Sequence, residues 1–329
     1  MNTETPHSRA HQTFFRDERN RRPGCIHDPK FFCLLVLFIS LLAHSVSGQY
    51  HSLFHKGIER TYLIHLPAQY QGSETLPLVL ALHGGFGSAQ NLQQQSGLSQ
   101  KSDEENFIVV YPEGIVGDRL KIRTWNAGDC CGFASRSKTD DTGFLSALID
   151  TMLARYPIDP ERIYVTGMSN GGFMAYRLAC EIPGKLAAIA PVAASMSLEL
   201  CSPSLPVSII HFHSLSDRSI PFTGGTGEGI SKHYNAPVDS VFRIWAALDS
   251  CMTRDTLSET DQYAIFQWSS CRSDTELQLI LTRDGGHSWP GGKKGRLRAD
   301  PVSVSVDATD RMWDFFARHP RKTPKKIGN

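Results

Sequence analysis

Arg162-Ile163-Tyr164-Val165-Thr166-Gly167-Met168-Ser169-Asn170-Gly171-Gly172-Phe173-Met174-Ala175-Tyr176-Arg177-Leu178 is the stretch on which the reading of this chain turns. It begins as an apolar, β-branched and aromatic run of the kind found in buried strands, and from Gly172 onward it has the composition of a helix. Between the two lies Gly-x-Ser-x-Gly. A strand that runs straight into a helix puts the middle residue of such a turn on a sharp, strained bend, which the flanking glycines permit by removing Cβ crowding. The Ser169 hydroxyl then stands at a helix N-terminus, where backbone N–H groups face a developing negative charge. The motif is weak by itself; the strand before it and the helix after it make it specific. The plainer reading is an ordinary glycine turn that opens a helix.

Outward from this turn the same alternation covers most of the chain. Ile58–Leu66, Leu78–His83 and Phe107–Tyr111 precede it as apolar runs bounded by turn residues, and Leu186–Val192, Val207–Phe212 and Leu277–Thr282 follow. All suit strands, and the continuously apolar ones suit strands covered on both faces. Helical spacing marks Phe144-Leu145-Leu148-Ile149-Met152-Leu153, Val241-Phe242-Ile244-Trp245-Leu248 and Met312-Trp313-Phe315-Phe316. Pro157-Ile158-Asp159-Pro160 ends the first of these helices. The pattern predicts an α/β fold in one domain, a mostly parallel sheet with helices on both faces. Gly224–Gly229 and Gly285–Gly292 read as loops.

A serine hydroxyl needs a base. In this layout the base should come from a loop after a late strand, and His287 fits, flanked by glycines and stiffened by Trp289 and Pro290. The orienting acid should follow the preceding strand; Asp217 does, with Asp239 as the fallback, although Asp239 reads better as a charge at a helix N-terminus. The order Ser169, Asp217, His287 is that of one triad fold among several. His83-Gly84-Gly85-Phe86-Gly87 follows a strand and can aim N–H groups at the oxygen that the Asn170 N–H also faces, so the oxyanion site is assigned to Asn170 with Gly85 or Phe86. His83, Trp125 and Trp289 are assigned to the substrate-binding wall, with Phe222 as a further aromatic; the long loop holding Trp125, Cys130 and Cys131 is the natural cover of a pocket. Each has a structural alternative: a loop histidine, a turn aspartate, a tight turn around His83. His211 and His213 share one strand face, and with no third ligand they read as packing or wall residues. Asp140 and Asp141 stand where helix caps belong.

Composition narrows the function. The chain has 329 residues, 40% hydrophobic and 20% charged, with 34 Lys+Arg against 33 Asp+Glu. That excludes a mostly disordered chain, a collagen-like fibre and a multi-span membrane protein, and gives no electrostatic reason to expect nucleic acid as partner. Phe31–Ala43 is an apolar run behind Arg16, Arg19, Arg21, Arg22 and Lys30 and ahead of Ser45, Val46, Ser47 and Gly48. It reads as a secretory signal over residues 1–48, leaving residues 49–329 as a single catalytic domain that is secreted, with no stable membrane insertion after cleavage; a retained signal-anchor is the rival. Six cysteines then remain, favouring Cys251–Cys271, next Cys180–Cys201, with Cys130 and Cys131 least determined. No metal is called for, since no CxxC pair has a partnered histidine.

Taken in order, LVLALHGG, FIVVYPEG, TWNAGDCCG, DDTGFLSALID, DPERIYVTGMSNGGFMAYRLAC, PVSIIHFHSLSD, GGHSWPGG and the terminal MWDFF resemble the secreted esterase family of polyhydroxybutyrate depolymerases and feruloyl esterases (carbohydrate esterase family 1, LpqC-like). The resemblance spans about residues 55 to 318. It implies an α/β-hydrolase fold and cofactor-free hydrolysis of a small or polymeric carboxylic ester, with Ser169 as nucleophile, Asp217 as acid and His287 as base. Ser214 stands where the family usually has glycine, a departure that should loosen the loop carrying Asp217. The alternative from another class is a catalytically silent α/β-hydrolase acting as an extracellular binding domain.

Overall fold

The computed structural model describes residues 49–117, 121–198, 200–229, 232–295 and 299–322. The leader read over residues 1–48 lies outside them. Strands β1 (Gln49–His55), β2 (Ile58–His65), β3 (Leu76–Leu82) and β4 (Ile108–Pro112) come first, and β5 (Ile115–Val116) and β6 (Arg123–Thr124) form a small separate ladder. Next come β7 (Ile158–Met168), β8 (Ala188–Val192) and β9 (Ser208–Ser214); β10 (Gly225–Thr226) and β11 (Tyr234–Asn235) make a second small ladder. Last are β12 (Thr253–Glu259), β13 (Tyr263–Ser269) and β14 (Leu277–Thr282). The helices are α1 (Ala89–Ser96), α2 (Leu98–Glu105), α3 (Gly132–Arg136), α4 (Asp141–Arg155), α5 (Asn170–Glu181), α6 (Val238–Leu248) and α7 (Ala308–Arg318).

Ten strands join in the order β1-β2-β4-β3-β7-β8-β9-β14-β13-β12. The six central ones, β4 to β14 in that order, are parallel, and each flank adds an antiparallel pair. Every strand-like run expected from the sequence lies in this sheet. Period-two alternation sorts their side chains: Leu78, Leu80 and Leu82 of β3 join one buried cluster, Val79 and Ala81 the other. Helices α4, α5 and α6 cover the first face, and α1, α2 and α7 the second. Stacking of Tyr164 on Phe316 and of Phe107 on Trp313 locks α7 to its face.

Ends are set by local chemistry. Asp140 caps α4 by accepting from the Gly143 N–H, as its position suggested. Asp141, beside it, is not a cap: it is buried and receives Arg60 from β2 at 2.7 Å. Asp307 caps α7 through the N–H groups of Thr309 and Asp310. Cys251 and Cys271 bracket the β12–β13 hairpin and are joined, Cys180 is joined to Cys201, and Cys130 to its neighbour Cys131. Among the described residues no helix is long and apolar enough to cross a membrane.

Asp249, at the C-terminal end of α6, is wholly buried, and burial pushes its carboxyl up to about 7. In the unfolded chain the same group sits near 3.8. Between those values the folded protein keeps a proton that the unfolded chain has released, so this stabilisation is complete at low pH and fades as pH rises through 7. Asp249→Asn is therefore expected to raise the thermal midpoint at pH 8 and to leave it nearly unchanged at pH 4. Parallel midpoint-versus-pH curves for the two proteins would contradict this.

Candidate active site

The carboxyl ends of β7, β9 and β14 share one edge of the sheet, because these strands run parallel with β8 between the first two. Ser169 follows β7, Asp217 follows β9 and His287 follows β14. Topology alone thus gathers three residues that lie far apart in sequence.

Ser169 has φ 54° and ψ −123°, the strained conformation that its glycine-flanked turn suggested. Its N–H donates to the Val192 carbonyl at 2.9 Å and its carbonyl accepts from the Phe173 N–H at 3.0 Å, so the bend is fixed from both sides. Gly171 is required by close approach: a Cβ there would run into the Leu82 carbonyl at the end of β3. The side chain of Ser169 does not cap α5, which leaves the hydroxyl half-exposed at the helix N-terminus.

Asp217 is buried on a tight turn, where its Oδ1 accepts the N–H groups of Ser219 at 2.9 Å and Ile220 at 2.8 Å. Its Oδ2 lies 2.8 Å from Nδ1 of His287. Burial pushes this carboxyl up, but the adjoining His287 and the donated N–H groups outweigh it and hold Asp217 below its ordinary value. An ionised Asp217 makes Nδ1 of His287 the donor, so Nε2 carries the lone pair. No hydrogen bond joins that Nε2 to the Ser169 hydroxyl or to any other described residue. The structure therefore brings His287 and Asp217 together and leaves Ser169 unbonded on the same edge.

Acids absent from the sequence reading hold the histidine loop. Asp300 accepts the His287 N–H at 2.8 Å, and Asp284 accepts Ser303, Val304 and Ser305 from the returning chain. Ser214, expected to loosen the aspartate loop, ties it instead: its hydroxyl accepts the Ser216 N–H and donates to the Asp284 carbonyl. Asp239, the fallback acid, sits half-exposed in the first turn of α6 against Arg243.

The glycine turn after β3 lies against the serine, since a Cβ on Gly84 would come 3.3 Å from that of Ser169. His83 is the post around which this turn is wound. Its Nδ1–H donates to the Gly84 carbonyl, its Nε2 accepts the Gly114 N–H, and burial drives its imidazole down to about 4. The Phe86 N–H is engaged with the Arg123 carbonyl at 3.3 Å, which leaves Gly85 as the better placed of the two expected donors. Beneath the turn, buried Glu113 accepts the Ala89 N–H and pairs with Arg123 at 2.8 Å. A lone carboxylate after a wholly apolar strand was the available signal for this anchor.

Three expected substrate contacts need correction. Trp289 is fully buried among the residues between the sheet and α7, with its Nε1–H on Thr309. Trp125 is also fully buried; its Nε1–H donates to the His83 carbonyl, and its own N–H and carbonyl are clasped by the Asn170 side chain at 2.7 and 3.0 Å. His83 has both nitrogens occupied. All three are buried, with their ring nitrogens engaged inside the protein. Phe222 remains half-buried beside His213. Among the described residues the His, Cys and acid side chains close enough to hold a metal are Cys130, Cys131 and His233, and the two sulfurs there are bonded to each other.

Residues 60–219 match the family described as "Esterase PHB depolymerase". Feruloyl esterase B of Piromyces equi is 26% identical over 246 residues, which is 72% of this chain and 44% of that protein. Poly(3-hydroxyalkanoate) depolymerase C of Paucimonas lemoignei is 31% identical over 171 residues, 51% of this chain and 39% of that protein. The chain thus spans less than half the length of either. An acetyl xylan esterase from Aspergillus awamori superposes with a TM-score of 0.57 at 14% identity, covering 82% of this chain and 99% of the other. The fold is that of the α/β-hydrolases.

Asn170→Ala removes both bonds to the Trp125 backbone and leaves a buried N–H and a buried carbonyl unpaired. At about 1–3 kcal/mol for each such group, the expected loss is about 2–6 kcal/mol. It should appear as a lower urea midpoint, and a variant that unfolds with the wild type would show the clasp to be dispensable.

Proposed function

We propose that this chain, whose residues 60–219 belong to the esterase PHB depolymerase family, is a serine esterase that hydrolyses carboxylic esters through Ser169, His287 and Asp217. The observation that carries the reading is the 2.8 Å bond between Asp217 and His287 Nδ1, which turns a lone-pair nitrogen outward on the sheet edge that bears the strained Ser169.

In the proposed reaction His287 Nε2 takes the hydroxyl proton as Ser169 Oγ attacks the ester carbonyl. Charge moves to the carbonyl oxygen, which is met by the N–H groups of Asn170 and Gly85. As the tetrahedral intermediate collapses, the imidazolium returns the proton to the leaving alcohol, and the acyl group stays on Ser169. Water, deprotonated by the same nitrogen, then releases the acid. Asp217 keeps the ring in the Nδ1–H tautomer and stabilises the imidazolium in both halves. The Ser169–His287 contact tightens when substrate arrives, as catalytic hydrogen bonds commonly do.

The relatives' names offer feruloyl and poly(3-hydroxyalkanoate) esters as substrate classes. Both demand the same catalytic parts, so the choice lies in the pocket wall; with Trp125 and Trp289 buried, aromatic stacking by those two is not available to favour a feruloyl group. Export is part of the proposal, supported by the basic and apolar leader around Phe31–Ala43 and by three disulfides in the folded region.

Ser169→Ala should lose about three or more orders of magnitude in turnover of p-nitrophenyl acetate while unfolding at the wild-type midpoint. An organophosphate should label the wild-type protein stoichiometrically at Ser169. A folded wild type that takes no label and cleaves no ester would replace this reading with that of a silent binding domain.

A further inference from the structure

Beside Asp217 runs a buried line of hydrogen bonds that the proposed reaction does not use. Tyr176 Oη of α5 lies 2.9 Å from His211 Nδ1, His211 Nε2 lies 3.1 Å from His213 Nδ1, and His213 Nε2 lies 2.8 Å from the Ile220 carbonyl. The two imidazoles are nearly parallel, with an interplanar angle of 9°. Phe242 meets His211 edge-on, Trp245 stacks on Tyr176, and Phe222 stands beside His213, so the line is walled by rings. Burial pushes both imidazoles below their ordinary range.

The direction of every proton in this line follows from its last acceptor. A carbonyl only accepts, so His213 Nε2 carries hydrogen. In a neutral ring its Nδ1 is then bare and accepts from His211 Nε2–H. That leaves His211 Nδ1 bare, and the Tyr176 hydroxyl donates to it. All three donors point the same way, and such chains polarise one another. The positive end of the line is the His213 Nε2–H, and it emerges 3.9 Å from Asp217 Oδ2, the oxygen that receives His287.

The same N–H closes the loop. Ser214 to Ile220 leaves β9 and returns to it, and Ile220 provides both the carbonyl that His213 grips and one of the N–H groups that Asp217 Oδ1 accepts. We propose that His213, held in one tautomer by His211 and Tyr176, is a positioning residue of the active site that fixes the Asp217 loop and presents an N–H dipole to the carboxylate orienting His287. The inference rests on the esterase reading and adds a residue to it.

The test pairs kinetics with a measurement that does not need turnover. Histidine 15N shifts on the wild-type protein should show His211 and His213 neutral and both in the Nε2–H tautomer; either ring in the Nδ1–H form, or cationic at neutral pH, overturns the inference. His213→Phe keeps a ring in the space and removes the donor. It should lower kcat on p-nitrophenyl acetate by about tenfold or more with KM within about twofold, since supporting contacts to active-site groups commonly carry that much. His213→Gln restores a donor toward Ile220 and should recover most of the loss. A folded His213→Phe with wild-type kcat, or a His213→Gln as impaired as His213→Phe, overturns the inference while leaving the esterase reading intact. A wild-type protein that takes no organophosphate and turns over no ester overturns both.

Discussion

The approach of Gly171 to the carbonyl of Leu82, which leaves no room for a Cβ, is the constraint from which the rest follows. With no side chain between them, the first turn of α5 lies directly on the end of β3. Ser169 must therefore turn back at positive φ, and the glycine turn that leaves β3 must pass against it. Asn170, one residue on, then points its side chain at the backbone of Trp125 and clasps it on both sides. A methyl group at position 171 would separate the two layers and dissolve all of these contacts together.

Around this point the polar groups are arranged as three anchored sets, each removing a buried charge or donor from isolation. Arg60 pairs with Asp141, whose second oxygen takes the Asn126 N–H, so β2 and α4 hold the loop that carries Trp125. Glu113 and Arg123 brace the turn wound on His83. Asp217 collects two N–H groups and one imidazole. Breaking one partner of such a set leaves the other buried and unpaired, which costs more than the bond itself contributes. These anchors place donors and acceptors on strands and short turns, where the geometry is held tightly enough for chemistry.

Much of this was legible in the chain and some was not. Strands buried on both faces announce themselves as unbroken apolar runs, and the order of Ser169, Asp217 and His287 follows from parallel topology. By contrast, α1 and α2 bury only a narrow stripe, Ala89, Leu92 and Leu98 among polar neighbours, so their periodicity is faint. β12 is exposed along almost its whole length, and nothing in TRDTLSE alternates. Trp125 and Trp289 read as pocket walls because glycine-rich loops usually lie outside; here their indoles are drawn under the loops by bonds to His83 and Thr309. Residue spacing put His211 and His213 on one face, but a hydrogen-bond direction is a property of what lies at its end, which only the fold brings near.

The open contact between Ser169 and His287 indicates which atoms are left to move. Ser169 cannot shift its backbone, because both its N–H and its carbonyl are bonded and its neighbour Gly171 is wedged against β3. Asp217 cannot shift either, being held by two N–H groups at the base of a closed turn. His287 is tethered at ring Nδ1 to that aspartate and at its backbone N–H to Asp300, one bond on the ring and one on the main chain. What remains is rotation of the serine side chain about Cα–Cβ, a single staggered torsion that crosses its barrier without disturbing any bond described above. On the esterase reading, that torsion is the freedom left to the nucleophile while its backbone and the Asp217–His287 pair are held by the bonds above.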